Sequence, residues 1–188
     1  VLLEPGAEGA INGKTVRQIP SVICSTFHDA GFKASSIKAI GCFDVVEHIE
    51  NPNELIDHFS YVLEPGGLLY VMVPAYHWLW SQSDVRAQHY RRYNNTMIKQ
   101  LLSEQFEIIY FTYFFKFLIL PIFIFRALPF RLGFSAKSVL SKDTEHGTGK
   151  GHGSKIINYF LKRELEKIEK GKRINFGSSC LFVARKIN

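Results

Sequence analysis

The feature that most constrains this chain is a strand–helix–strand unit in residues 37–74. Ile37, Ala39, Ile40, Cys42, Phe43, Val45 and Val46 form a short apolar run suited to a strand buried on both faces. The run breaks into Glu47-His48-Ile49-Glu50, where the backbone has to leave a sheet. Asn51-Pro52-Asn53-Glu54 reads as a helix start, with Asn51 at the cap, Pro52 at the first helical position and Glu54 at capping-box spacing. Leu55, Ile56, Phe59, Val62 and Leu63 then recur on one helical face. Glu64-Pro65-Gly66-Gly67 stops the helix, and Leu68 to Val73 is a second apolar strand closed by Pro74. Two such strands joined by a helical crossover of roughly 20 residues make a parallel β-α-β unit.

The chain has 188 residues, 46% hydrophobic and 14% aromatic, which excludes global disorder and suffices for one domain with a real core. A formal charge of +6 favours an anionic partner without choosing among cofactor, lipid or nucleic acid. Cys24, Cys42 and Cys180 all sit in apolar, strand-like runs, so they are expected to be reduced core residues in a cytoplasmic protein. No secretory signal pattern is read.

Phe43-Asp44-Val45-Val46-Glu47-His48-Ile49, Leu63-Glu64-Pro65-Gly66-Gly67-Leu68-Leu69 and Val73-Pro74 together resemble the middle of a class I S-adenosylmethionine (SAM)-dependent methyltransferase. The nearest subgroup is the type 11 family with its ubiquinone-type O-methyltransferases. By order of elements the resemblance covers residues 1–115 and 155–188. It implies a single domain with a Rossmann-like α/β fold: a three-layer sandwich whose sheet is mostly parallel with one antiparallel strand. Val1 to Gly6 begins inside a strand without an initiator Met, so the first strand and its Gly-rich loop are expected to be missing from an N-terminally truncated chain. Gly6, Gly9 and Gly13 follow the acidic residue and do not replace that loop, and they make a helix over residues 7–19 weak.

The resemblance also implies roles. Glu4 stands where a carboxylate accepts hydrogen bonds from the two ribose hydroxyls; the alternative is an ordinary strand-end Glu. Thr26 and Phe27 stand at the adenine position, or simply in a loop with a buried Phe. Gly41, Cys42 and Phe43 line the cofactor wall. His48 is the candidate general base, because imidazole titrates near working pH; otherwise it caps the following turn. Asp44, Glu47 and His48, with His89 at a distance, match a spacing that some relatives use for a divalent ion. Many relatives keep Glu-His without one, so SAM alone is the expected cofactor and no metal site is assigned.

Tyr76, Trp78 and Trp80 leave the C-terminal end of the second strand and suit a flat acceptor or a lid. His89, Arg91 and Arg92 lie in a segment that resembles the family's Gly-His-x-Arg-Arg-Tyr, with Gln88 in place of Gly. The two arginines either clamp an acceptor anion or form ion pairs that pin the segment. Asn94-Asn95-Thr96 caps a further helix, Phe106 to Tyr113 is a strand, and Ser178 to Ala184 is the antiparallel one. Residues 114–134 are a dense apolar run broken by Lys116, Pro121 and Arg126, too short to span a membrane. They read as a lid, an oligomer interface or a membrane-surface anchor. Residues 135–154 read as a mobile polar loop without the aromatics that nucleic-acid binding needs, and residues 155–170 as an amphipathic helix.

The expected function is methyl transfer from SAM to a small-molecule or lipid-like acceptor in the cytoplasm, with peripheral membrane contact as a further option. The alternative is a non-catalytic methyltransferase-fold module that binds through residues 114–134. A nicotinamide-dependent dehydrogenase would also end its second strand with an acid, but it fits the Glu-His corner less well.

Overall fold

The computed structural model describes residues 1–102, 104–134 and 152–187. The β-α-β unit forms as its pattern dictates. Strand β3 (Ile37–Phe43) leads through a short 3-10 turn, Val46–His48, into α2 (Pro52–Val62), and β4 (Leu63–Pro74) returns parallel to β3. Asn51 sets no side-chain cap; its amide instead donates to Glu54 at 2.8 Å. Glu64-Pro65-Gly66-Gly67 is absorbed into β4 as an irregularity. Ile37 faces Leu63, while Ala39 already faces Leu68, and Gly66 takes φ +76° at the turn.

The main sheet has the order β3-β4-β6-β5, with β5 at Phe106–Phe114 and β6 at Ser179–Lys186. β6 is antiparallel to both neighbours, so β3, β4 and β5 run the same way and the expected antiparallel strand lies between β4 and β5. Strand alternation places Ile40, Leu69 and Ala184 in one buried row and Cys42, Val71 and Phe182 in the next. Ile56 and Phe59 of α2 close this face, together with Ile98 and Leu102 of α4 (Asn95–Leu102). Asn94 caps α4 by accepting from the Met97 N–H at 3.0 Å.

The opposite face is more open. β3 was expected to be buried on both faces, yet Gly41 and Phe43 are exposed. Among the described strands β3 pairs only with β4. Strands β1 (Leu2–Leu3) and β2 (Val22–Ile23) form a separate parallel pair. Cys24 is exposed, contrary to the core position read from its neighbours.

Helix α1 (Ala7–Thr15) forms despite its glycines because they let it approach β1. A Cβ on Gly13 would lie 2.6 Å from Leu2, and one on Gly9 2.7 Å from the Glu4 side chain.

The apolar run becomes one irregular helix: 3-10 over Lys116–Leu118, α5 over Ile119–Ile122, a π turn over Phe123–Ala127, and α6 over Leu128–Arg131. Pro121 and Pro129 each withdraw a ladder donor, and changes in helical pitch absorb the loss. Helix α7 (His152–Glu169) starts slightly before its sequence limit. Glu164 on α7 accepts the Phe115 and Lys116 N–H groups at 2.6 and 2.9 Å, capping the apolar helix. The polar loop expected at 135–154 lies outside the described residues up to position 151.

Candidate functional site

The site is a corner where two loops leave the C-terminal edge of the sheet and are stitched together. The loop after β3 carries Asp44, Glu47 and His48. The segment after β4 runs through the His77–Leu79 turn and α3 (Gln82–Arg86) to Tyr93. Tyr90 N–H donates to the Glu47 carbonyl at 2.8 Å, Tyr93 OH to the Val46 carbonyl at 3.3 Å, and Tyr93 N–H to Pro74 at 2.9 Å. Asp44, Tyr76 and Gln88 all adopt positive φ, 52°, 60° and 58°. Held left-handed geometry in non-glycine residues is strain that the packing must supply, and it gathers at these loops. The positive φ of Gln88 is the conformation glycine adopts without strain, so the Gln here is held at a cost.

Asp84 organises the corner, and its sequence context gave no signal of that beyond one more acid among polar residues. Its side chain is fully buried. Oδ1 accepts from Arg92 Nε at 2.7 Å and pairs with His89 Nδ1 at 3.0 Å. Oδ2 accepts from Arg92 Nη2 at 3.1 Å, Ser81 N–H at 2.9 Å and Ser81 Oγ at 3.1 Å, and the Ser81 N–H bond is one half of the capping box of α3. Burial pushes the Asp84 carboxyl up, but the Arg92 hydrogen bonds and charge, then His89 and Ser81, outweigh it and hold it below the usual carboxylate range.

The two imidazoles meet edge to face, His48 against His89, with ring centroids 4.6 Å apart. The His48 ring bonds the Ala87 carbonyl; partial burial and then the His89 ring lower its pKa. Glu47 is 1% exposed and its Oε2 has no hydrogen-bond partner. Burial raises the Glu47 carboxyl to about 7, with Asp44 adding to the rise. Glu47, His48 and His89 each offer a ligand atom, all within 4.8 Å of one another. Asp44 is outside that set. Its carboxyl is raised by burial and pulled back by both imidazoles.

Other expected residues are placed differently. Arg92 is consumed by Asp84 and by the Ala75 carbonyl at 3.3 Å, and Arg91 donates to the Glu50 carbonyl. Arg92 is therefore in an ion pair within the corner, and Arg91 is bonded to backbone. The Cys42 side chain points into the core, and burial, then Glu47, pushes its thiol up to about 12. Strand alternation thus leaves only its backbone to a wall on the Gly41–Phe43 side. Phe27 packs edge-on against Phe59 at 4.7 Å and His58 at 5.1 Å, and Thr26 donates to Asp29 at 2.6 Å.

Glu4 folds back on α1, where Oε1 accepts the Gly6 N–H at 3.2 Å. Among the described residues no hydrogen bond, ion pair or ring contact joins Glu4 to the His48 corner. Two hollows, of about 330 and 260 Å³, are lined instead by Phe114, Leu161 and Leu165, and by Phe111, Tyr113 and Asn175. Tyr76 stacks on Tyr113 at 5.1 Å and on Trp78 at 5.7 Å, and Trp78 meets Phe123 edge-on at 5.6 Å. Trp80 lies 5.5 Å from the His77 ring.

The family model described as a methyltransferase domain matches residues 8–108, more than half of the chain. The chain belongs to this methyltransferase-domain family. A search of curated proteins returns no match. Solved structures with the same fold include the Haloferax volcanii protein, assigned as a methyltransferase, bound to the Trm112 methyltransferase activator. It is 12% identical, with TM-score 0.59 over 99% of this chain and 71% of that one. Geranyl diphosphate C-methyltransferase from Streptomyces coelicolor is 15% identical, TM-score 0.54, over 98% and 61%. The [4+2]-cyclase SpnF is 13% identical, TM-score 0.53, over 98% and 64%. At these identities the likeness is one of fold.

Proposed function

We propose that this member of the methyltransferase-domain family transfers a methyl group from SAM to a hydroxyl on a small or lipid-like acceptor. The observation that carries the reading is the buried Asp84 carboxylate holding the His89 ring beside His48 at the edge of a family-typical sheet. The carboxylate at the end of β1 suits a vicinal diol: Glu4 is acceptor-only, and among the described residues the Gly6 N–H donates to it. Glu4 would hold the ribose, and the Gly41–Phe43 backbone would flank the remainder. SAM, when bound, supplies an electrophilic methyl group.

The protein's own residues align and deprotonate the acceptor. Asp84 fixes the orientation of His89 through Nδ1. His48, whose lowered pKa keeps it neutral at pH 7, is the base that takes the acceptor proton, with His89 at its edge. Tyr76 and Trp78 present a flat apolar wall. Calorimetry with SAM tests the reading: binding is expected and should be weakened by Glu4→Ala. His48→Asn should lower turnover of an accepted substrate by about 10²–10⁴-fold with SAM binding retained. Absence of SAM binding, with NADH binding in its place, would point to a dehydrogenase.

A second reading concerns the same corner. The unpartnered Glu47 oxygen and the two imidazoles form an O,N,N set that fits a divalent cation, with Asp84 as the outer partner of His89. Manganese or magnesium should then raise the melting temperature, and His48→Ala should abolish that shift. An unchanged melt in both would remove the metal.

A further inference from the structure

The irregular helix after β5 has two faces of unlike fate. Ile119 and Ala127 are buried, and Phe123 between them meets Trp78, so this row packs on the site segment. On the other side Phe117, Leu120, Ile124, Leu128 and Leu132 follow one another at spacings of three or four, and every one is exposed. Leu120 is 65% exposed, Phe125 68% and Phe134 66%, values that no soluble core would leave on a helix already packed along its other side. Tyr159 and Phe160 of α7 continue the surface, with Phe117 stacked on Phe160 at 4.7 Å.

The charges on the run itself are of one sign. Between Glu107 and Asp143 the chain has no acidic residue, and residues 116–134 carry Lys116, Arg126 and Arg131. The nearest carboxylate on α7, Glu164, is already engaged by the Phe115 and Lys116 N–H groups. A second copy docked on this face would set like charges against each other, since a two-fold interface must be self-complementary. Residues 135–151 have few large apolar side chains to lay over the face, Val139 and Leu140. Among the described residues no helix is long and apolar enough to cross a membrane.

We propose that the helical run over residues 116–134 docks in the plane of an anionic lipid surface, its outer apolar row entering the headgroup–acyl boundary while Lys116, Arg126 and Arg131 meet the headgroups. Trp78, packed against the inner face of this helix by Phe123 and by the Arg131 bond to its carbonyl at 3.0 Å, then lies beneath the docked helix. The proposal rests on none of the chemistry above, and a chain that failed to bind SAM would leave it standing.

Co-sedimentation with phosphatidylcholine vesicles, with and without phosphatidylserine, tests it. Binding is expected on the phosphatidylserine vesicles and should fall as salt rises. Leu120→Glu with Phe125→Glu should weaken it at least about ten-fold, because each side chain loses its apolar transfer. Lys116→Gln and Arg126→Gln should each weaken it about five-fold. The charge variants leave the apolar face intact, so they report even if the double Glu variant misfolds, which circular dichroism would reveal. Three results overturn the proposal. These are no binding to phosphatidylserine vesicles, equal binding to neutral ones that none of these variants changes, and, without vesicle binding, self-association by light scattering that the Leu120 and Phe125 variants abolish.

Discussion

Replacing Asp84 by Asn is the sharpest probe of the corner, because the change is nearly isosteric and its cost follows from counting donors. Every group around the carboxylate points a hydrogen at it. Oδ1 receives Arg92 Nε and His89 Nδ1, and Oδ2 receives Arg92 Nη2, Ser81 N–H and Ser81 Oγ. An amide must turn its own NH₂ towards one of these sets, so at least two donors face a donor. It also leaves the Arg92 side chain, only 10% exposed, without its counter-charge. Breaking one partner out of a buried pair costs about 3–5 kcal/mol. At roughly 2–4 °C per kcal/mol for a chain of this size, the melting temperature should fall by roughly 6–20 °C. Urea denaturation at pH 7 measures the same quantity.

The pH dependence supplies a second check. Because the folded pKa of Asp84 is depressed, its contribution is present in full above the unfolded value of 3.8 and is lost as pH falls through the folded one. The Asn variant should lack that acid limb. A loss below about 1 kcal/mol at pH 7, the range of an exposed pair, would refute the buried-hub reasoning.

Four further outcomes are expected. Glu47 is raised from 4.5 to about 7, so the folded state holds its proton more tightly and stability should decline as pH rises through that interval; Glu47→Gln should flatten the decline in pH-dependent melts. Gly177→Ala should destabilise by about 3 kcal/mol or more, because the added Cβ would run into the Phe114 backbone, which cannot yield; chemical denaturation reads it. Glu164→Ala removes the acceptor for two backbone N–H groups and should cost about 1–2 kcal/mol, with faster hydrogen exchange at Phe115 and Lys116. Gln88→Gly, at φ +58°, should relieve about 1 kcal/mol of backbone strain and raise the melting temperature.

The β-α-β unit was legible because both its strands and its helix carry their own periodicity, and the antiparallel β6 because the family resemblance placed it. Glu47, His48 and His89 could be named as candidates, but their meeting could not. Forty-one positions separate His48 from His89, and bonds from Tyr90, Arg91 and Tyr93 to the Glu47, Glu50 and Val46 carbonyls bring those loops together. The part played by Asp84 was hidden for the same reason: an acid in a polar stretch looks solvated until Arg92 and His89 fold over it. The burial of β3 on one face and the exposure of Cys24 were misread, since an apolar run reports what a strand can bury and not what stands beside it.

What the residues settle locally is which segments become strand or helix, where helices start, and which side chains are chemically able to hold a proton or a cation. Apolar periodicity, capping and the fixed chemistry of each side chain act over a few positions and need nothing from the rest of the chain. Which of those side chains share a corner, which arginines are spent internally, and which apolar row is left facing out are decided by packing. Those outcomes depend on contacts between positions far apart in the chain, and no local pattern encodes a distance.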